Sequence, residues 1–188
     1  MTALGEELGS WINHLVSRVP GNTGVSLRRG FYRRRFASCG KGTIIAMGVR
    51  ITSPEKMHVG DRVGIGAGAF ITAGGGVTLG HCVGIGPDTK IWSVNHIFKD
   101  PDQPWRDQGW EYHEVVIEDD AWIGAASFIK PGVRVGKGAI VSAGTILSKS
   151  VPAYSIVAGN PGRVVGWRKR PEGEGVSPAA PLSAPEIT

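Results

Sequence analysis

The sequence predicts an all-β stack of short parallel coils, and three observations predict it. Six hexads run in unbroken phase from Ile117 to Pro152, with a branched aliphatic at every sixth position: Ile117, Ile123, Ile129, Val135, Val141 and Leu147. Ordinary composition gives that run by chance roughly one time in ten thousand. Four residues after each aliphatic stands a small or β-branched residue: Ala121, Ser127, Val133, Ala139, Thr145 and Val151. Finally, the 29 glycines alternate with Ile and Val, so they punctuate the chain instead of marking disorder. A six-residue period supplies one short strand and one turn. Three hexads make an 18-residue triangular coil, stacked at the inter-strand spacing of roughly 4.8 Å. The aliphatics point inward as a dry prism, and the small residues fit the corners. A sandwich of short strands does not account for a period held at six over two full coils.

Taken in order, residues 2–19 predict an amphipathic helix. Leu4, Leu8, Trp11, Ile12, Leu15, Val16 and Val19 follow helical spacing, and Pro20-Gly21 stops it. A second short helix is expected near 26–37, carrying Arg28, Arg29, Arg33, Arg34 and Arg35. This basic segment has two readings: contact with an anionic membrane surface or acidic substrate, or a helical cap over the open end of the stack with a solvated Arg face. The cap reading is preferred, because repeat stacks need capping. The repeat begins loosely near Thr43 and is clear at Val59, Ile65 and Ile71. It slips by two at Val77-Thr78 and resumes at Leu79, Ile85 and Ile91. A non-repeating excursion, residues 93–114, follows before the phase restarts at Ile117, and residues 153–166 close the stack. The domain plan is a helical cap over 1–40, a β-helix over 41–170 and a tail over 171–188. That tail is rich in Pro, Ala, Gly and Ser and is expected to be disordered.

Bulk properties narrow the function classes. The chain has 188 residues, enough for one continuous core, and a net charge of +5 that suits an anionic ligand or surface without naming one. No zinc-finger spacing, recognition-helix pattern or aromatic signature points to nucleic acid. Cys39 and Cys82 are too few and too isolated for a disulfide framework and read as reduced, partly buried thiols. No run of 18 apolar residues occurs, and no basic start precedes an apolar core. The expected location is the cytoplasm, with membrane association only through the N-terminal helices.

The segment AWIGAASFIKPGVRVGKGAIVSAGTILSKSVPAYSIVAGNPGRVV, beginning at Ala121, carries a resemblance. With it, about residues 40–166 resemble the hexapeptide-repeat acyltransferases. The galactoside and maltose O-acetyltransferase branch and its relatives in polysaccharide biosynthesis are the most similar. The PGNTG stretch and Arg-rich helix are also similar to the polysaccharide relatives. The resemblance implies a left-handed parallel β-helix, against the usual right-handed crossover rule. It also implies acetyl-CoA as co-substrate, no metal, a carbohydrate acceptor and a homotrimer with active sites shared between neighbours.

Moving an acetyl group from a thioester to a hydroxyl needs a base, donors for the tetrahedral oxyanion and a means of holding both substrates together. Imidazoles titrate near physiological pH and suit the first task. His96 lies in WSVNHIF, where the repeat yields to the excursion. The resembled family keeps its catalytic histidine at this junction, so His96 is the expected general base in a direct attack without an acyl-enzyme. Asn95 is a candidate for positioning the loop or the acceptor, and His113 for lining the same pocket. Trp92, Trp105 and Trp110 read either as an acceptor platform or as anchors for the loop. Asp100, Asp102, Asp107 and Glu111 are the candidate carboxylates for orienting His96, and sequence does not choose among them. His81 reads as a turn residue. A zinc site of the β-helical carbonic anhydrase kind is disfavoured, because Gly86 stands where the second ligand belongs.

By resemblance the coenzyme lies beside the last coils. Trp122 and Ala125 flank its thiol end, Ala143 contacts the pantetheine arm through its backbone, and Lys149 and Arg163 meet the phosphates. The galactoside and maltose enzymes use an acceptor-binding Asn in an earlier coil. The corresponding stretch here, GAGAFITAGGG, has none. A sugar within a nucleotide-linked, lipid-linked or polymeric precursor therefore fits better than a simple galactoside or maltose. The expected activity is sugar O-acetylation in polysaccharide biosynthesis. The alternatives are N-acetylation of an amino sugar and a non-catalytic β-helical scaffold.

Overall fold

The computed structural model describes residues 11, 12 and 15–169. The remainder of the expected first helix and the 171–188 tail lie outside the described residues. Residues 15–18 are helical, and Pro20, extended at ψ 171°, caps a new helix α1 (Gly21–Arg33). The expectation of a helix over 26–37 is thus corrected at both ends. Pro20-Gly21 ends one helix and also begins the next, because proline's fixed φ and missing N–H suit the mouth of a helix. At the other end the N–H groups of Arg35 and Phe36 both fold back onto Tyr32 O.

Helix α1 buries Gly24, Arg28 and Tyr32, spaced by four along one face. Tyr32 stacks on Phe36 with ring centroids 5.6 Å apart. Arg28 does not belong to a solvated face, contrary to the sequence reading. It is buried, and its guanidinium donates to Ile45 O (2.8 Å), Val16 O (3.2 Å) and Val19 O (2.7 Å). Burial pushes its pKa below the ordinary arginine value. One side chain therefore ties the helix, the segment before it and the first coil together.

From Ser38 onward the chain is a left-handed parallel β-helix with three sheets as the faces of a prism. One face holds β1 (Ser38–Cys39), β4 (Met57–Val59), β7 (Val77–Leu79), β12 (Val115–Ile117) and β15 (Arg134–Val135). The second holds β2 (Ile44–Ile45), β5 (Gly64–Ile65), β8 (Gly84–Ile85), β13 (Trp122–Ile123), β16 (Ile140–Val141) and β18 (Ser155–Ala158). The third holds β3 (Arg50–Thr52), β6 (Phe70–Thr72), β9 (Lys90–Trp92), β14 (Phe128–Ile129) and β17 (Ile146–Leu147). All six predicted aliphatics of the 117–147 run are fully buried, and their six small partners are buried at the corners. At about 1.5–3 kcal/mol per buried aliphatic side chain, this column is the main source of stability.

The register shows where the period fails. Trp122 pairs with Ile140 and Phe128 with Ile146, the ideal spacing of eighteen. In the first coils the spacing is twenty, with Arg50 on Phe70 and Phe70 on Lys90. The two extra residues sit at the corner between the third and first faces, once at 53–56, where Pro54–Lys56 makes a 3-10 turn, and once at 73–76. The slip read at Val77-Thr78 belongs to the second of these corners. The first had read only as a loose start. The stack closes with β19 (Arg163–Trp167), antiparallel to β18, and Arg168 reaches back to Asp120 at 2.9 Å.

Candidate active site

The excursion leaves the third face directly after Trp92. Ser93 is buried and fixes its root. The hydroxyl donates to Thr72 O (2.7 Å) and accepts the Gly75 N–H (2.9 Å). The excursion is a β-hairpin with a long tip: β10 (Val94–His96) runs antiparallel to β11 (Trp110–Tyr112), placing His96 opposite Trp110. The imidazole lies 3.6 Å from the Trp110 ring centroid at 35° and 4.5 Å from that of Trp105 at 80°. Two indoles thus hold the ring of His96.

The hairpin and the third face enclose a cleft of about 590 Å³ lined by Phe70, Thr72, Trp92, Asn95, His96 and Tyr112 among others. Among the described residues, no Lys, Arg, Asp or Glu lines it. Four buried side-chain polar atoms among the described residues have no hydrogen-bond partner. Three belong to this lining: Thr72 Oγ1, Trp92 Nε1 and His96 Nδ1. An unpaired buried polar atom costs roughly 1–3 kcal/mol.

The sequence candidates divide clearly. His96, Asn95, Trp92 and Trp110 come together in the cleft, while Trp105 packs on His96 from outside it. His113 does not line the cleft, which departs from the expectation. Its Nε2 sits 3.6 Å from Glu111, and alternation along the strand sends Trp110 and Tyr112 inward and the odd-numbered residues away. The Nδ1 of His96 meets no carboxylate among the described residues. Asp100 is held within the loop tip by Asp102 and Gln108, and Glu111 faces His113. Sequence reasoning missed Tyr112, Phe70 and Thr72. Strand parity with Trp110 would have found the first. The twenty-residue coil, which pairs Thr72 with Trp92, would have found the last.

The donor-side candidates lie elsewhere on the prism. Trp122 stands exposed on the second face over Gly84, where a methyl group would come within 3.3 Å of its ring. Ala125 and Ala143 occupy one corner in successive coils, joined by the Gly144 N–H to Ala125 O bond of 2.8 Å. Lys149 and Arg163 are exposed at the end of the stack, and neither has an ionic partner among the described residues. His81 is the corner residue it was read to be. Its Nδ1 accepts the Asp61 N–H at 3.0 Å. No group of three His, Cys, Asp or Glu among the described residues is placed to hold a metal ion.

Comparison with known proteins bears on this geometry. Residues 114–149 match the family model described as the hexapeptide repeat of succinyl-transferase. The chain is 31% identical over 134 residues to the "Putative acetyltransferase YJL218W" of Saccharomyces cerevisiae, covering 71% of this chain and 67% of that protein. Over 51 residues it is 59% identical to 2,3,4,5-tetrahydropyridine-2,6-dicarboxylate N-acetyltransferase of Staphylococcus aureus, of which it spans 21%. Among solved structures, a hexapeptide-repeat acetyltransferase of Vibrio cholerae in complex with acetyl-CoA superposes with a TM-score of 0.78. The identity is 23%, over 90% of this chain and 91% of that one. A galactoside acetyltransferase in complex with coenzyme A gives 0.73 at 23% identity, over 85% and 78% of the two chains.

Proposed function

The chain belongs to the hexapeptide-repeat acyltransferases, and from that premise we propose that it moves an acetyl group from acetyl-CoA to a sugar hydroxyl in polysaccharide biosynthesis, with His96 as general base. The observation that carries this reading is the gathering of the His96 imidazole with Asn95 and the rings of Trp92, Trp110 and Tyr112 in one aromatic cleft. Indole and phenol faces stack on pyranose rings, and the Asn95 amide is a polar group for sugar hydroxyls. The His96 imidazole takes the hydroxyl proton as the oxygen attacks the thioester carbon. As the tetrahedral intermediate collapses, the C–S bond breaks and the imidazolium returns the proton to the departing thiolate.

Acetyl-CoA runs past Trp122, along the Ala125 and Ala143 corner, to Lys149 and Arg163, whose charges have no competing ion pair among the described residues. Trp122 belongs to a different face from the His96 cleft. A ring of three subunits brings His96 of one copy against the Trp122 region of another, and such a closed ring satisfies the exposed Ile44 and Trp122. The enzyme works in the cytoplasm, where acetyl-CoA is available. Calorimetric titration with acetyl-CoA tests the donor half. Saturable binding weakened by K149A and R163A is expected, and no binding at millimolar ligand refutes the reading. Mild alkali then separates an ester product, which is lost, from an amide, which survives.

A further inference from the structure

Building on the sugar-acceptor reading, we infer that the acceptor is a chain of at least two sugars, whose second unit lies in a groove between Lys56, His58, Tyr112 and Glu114. A depression of about 520 Å³ adjoins the His96 cleft and shares Gly74 and Tyr112 with it. The two are therefore continuous across the corner formed by Gly74, Gly75 and Gly76. The glycines are required there. A methyl group on Gly74 would lie 2.7 Å from Val94 Cγ2 and 3.4 Å from Tyr112 Cε1, so only bare backbone lets the hairpin stem settle on the coil.

Tyr112 stands at the junction. Its ring rests against Gly74, and Lys56 arches beside it, Nζ donating to Gly74 O at 2.8 Å and lying 5.8 Å from the ring centroid. The ring is fixed in place and still more than half exposed (57%), as an aromatic platform must be.

The two compartments differ in chemistry. Among the described residues the His96 cleft has no Lys, Arg, Asp or Glu, whereas the groove carries Glu55, Lys56, His58 and Glu114. Glu114 accepts the Thr78 hydroxyl on Oε1 (2.7 Å) and keeps Oε2 for a ligand. His58 engages Ser38 through Nδ1 (3.0 Å) and keeps Nε2. Donors and acceptors of both signs around an aromatic face suit a hydroxyl-rich, uncharged ring. A nucleotide diphosphate is disfavoured, because two carboxylates flank the single lysine. The reacting sugar thus sits uncharged beside His96, with its neighbour on Tyr112.

The test is acetyl transfer from acetyl-CoA to an array of neutral mono- to tetrasaccharides, followed by kinetics of wild type, K56A and E114Q on the best chain and on its terminal monosaccharide. The wild type is expected to prefer the chain by at least tenfold in kcat/KM. Each variant is expected to shrink that preference about tenfold through KM, the loss of one charge-assisted hydrogen bond. Equal kcat/KM for chain and monosaccharide, or variants that slow both alike, overturns the second subsite while leaving sugar acetylation intact. If acetyl-CoA binds and no sugar of any length is acetylated, the sugar reading and the subsite fall together. Unchanged unfolding midpoints of the variants show that any loss is not misfolding.

Discussion

Replacing Arg28 by Met keeps the length of the side chain and removes its three hydrogen bonds to carbonyls. The Ile45 carbonyl is in a buried bond, so losing its donor costs about 1–3 kcal/mol. The Val16 and Val19 carbonyls are part-buried and regain water, which limits each loss to about 0.5–1 kcal/mol. Relief of the guanidinium's desolvation, which also lowers its pKa, works in the other direction. The net is a destabilisation of about 2–3 kcal/mol, or a fall in Tm of about 4–12 °C for a unit of this size. Circular dichroism melts give the shift, and hydrogen exchange locates it. The Gly48 N–H, bonded to Ser17 O at 2.9 Å, should lose protection before any amide of the later coils. The folded pKa of Arg28 lies below its unfolded value, so its titration affects stability only in strong alkali, and the effect of R28M should be flat between neutral and mildly alkaline pH. A Tm within 2 °C of wild type, with unchanged protection at Gly48, would show that Arg28 does not tie the cap to the coil.

The remaining predictions concern the site and the wall. H96A should lose about 10²–10⁴-fold in acetyl transfer while binding acetyl-CoA almost as tightly, and a variant that keeps most of its rate would remove His96 from the role of base. T72V deletes a buried hydroxyl that the free protein leaves unpaired. It should leave Tm unchanged or slightly raised, and a clear loss of stability would mean that the hydroxyl already has a partner. G124A places a methyl 2.4 Å from the Ala143 nitrogen, whereas the same change at Gly64 meets open space. G124A should therefore fail to yield soluble protein and G64A should melt like wild type or slightly higher, a contrast that thermal melts of both variants would reveal.

The wall of this molecule is legible in the sequence because each inward residue answers to a single rule. Ile117 and its five successors must all be aliphatic to fill the prism, so the period survives in the letters. The corner insertion at 53–56 was not legible, because a coil of twenty residues still puts an aliphatic on every face and only the register shows the extra pair. Arg28 was misread for a different reason. A buried guanidinium is acceptable only where three carbonyls meet it, and these come from Val16, Val19 and Ile45. No local pattern announces such a meeting.

The site combines both situations. His96 was findable because it stands where the period breaks, and strands that stop repeating are free to carry chemistry. Its partners were not findable in the same way. Thr72 lies far from His96 in sequence but one coil from Trp92 in space, and Tyr112 enters through hairpin parity while His113, one residue later, is turned away. A repeat protein spells out its scaffold along the chain and writes its site across the coils. Reading that site from sequence therefore needs the coil length, twenty here and not eighteen, before any candidate residue is chosen.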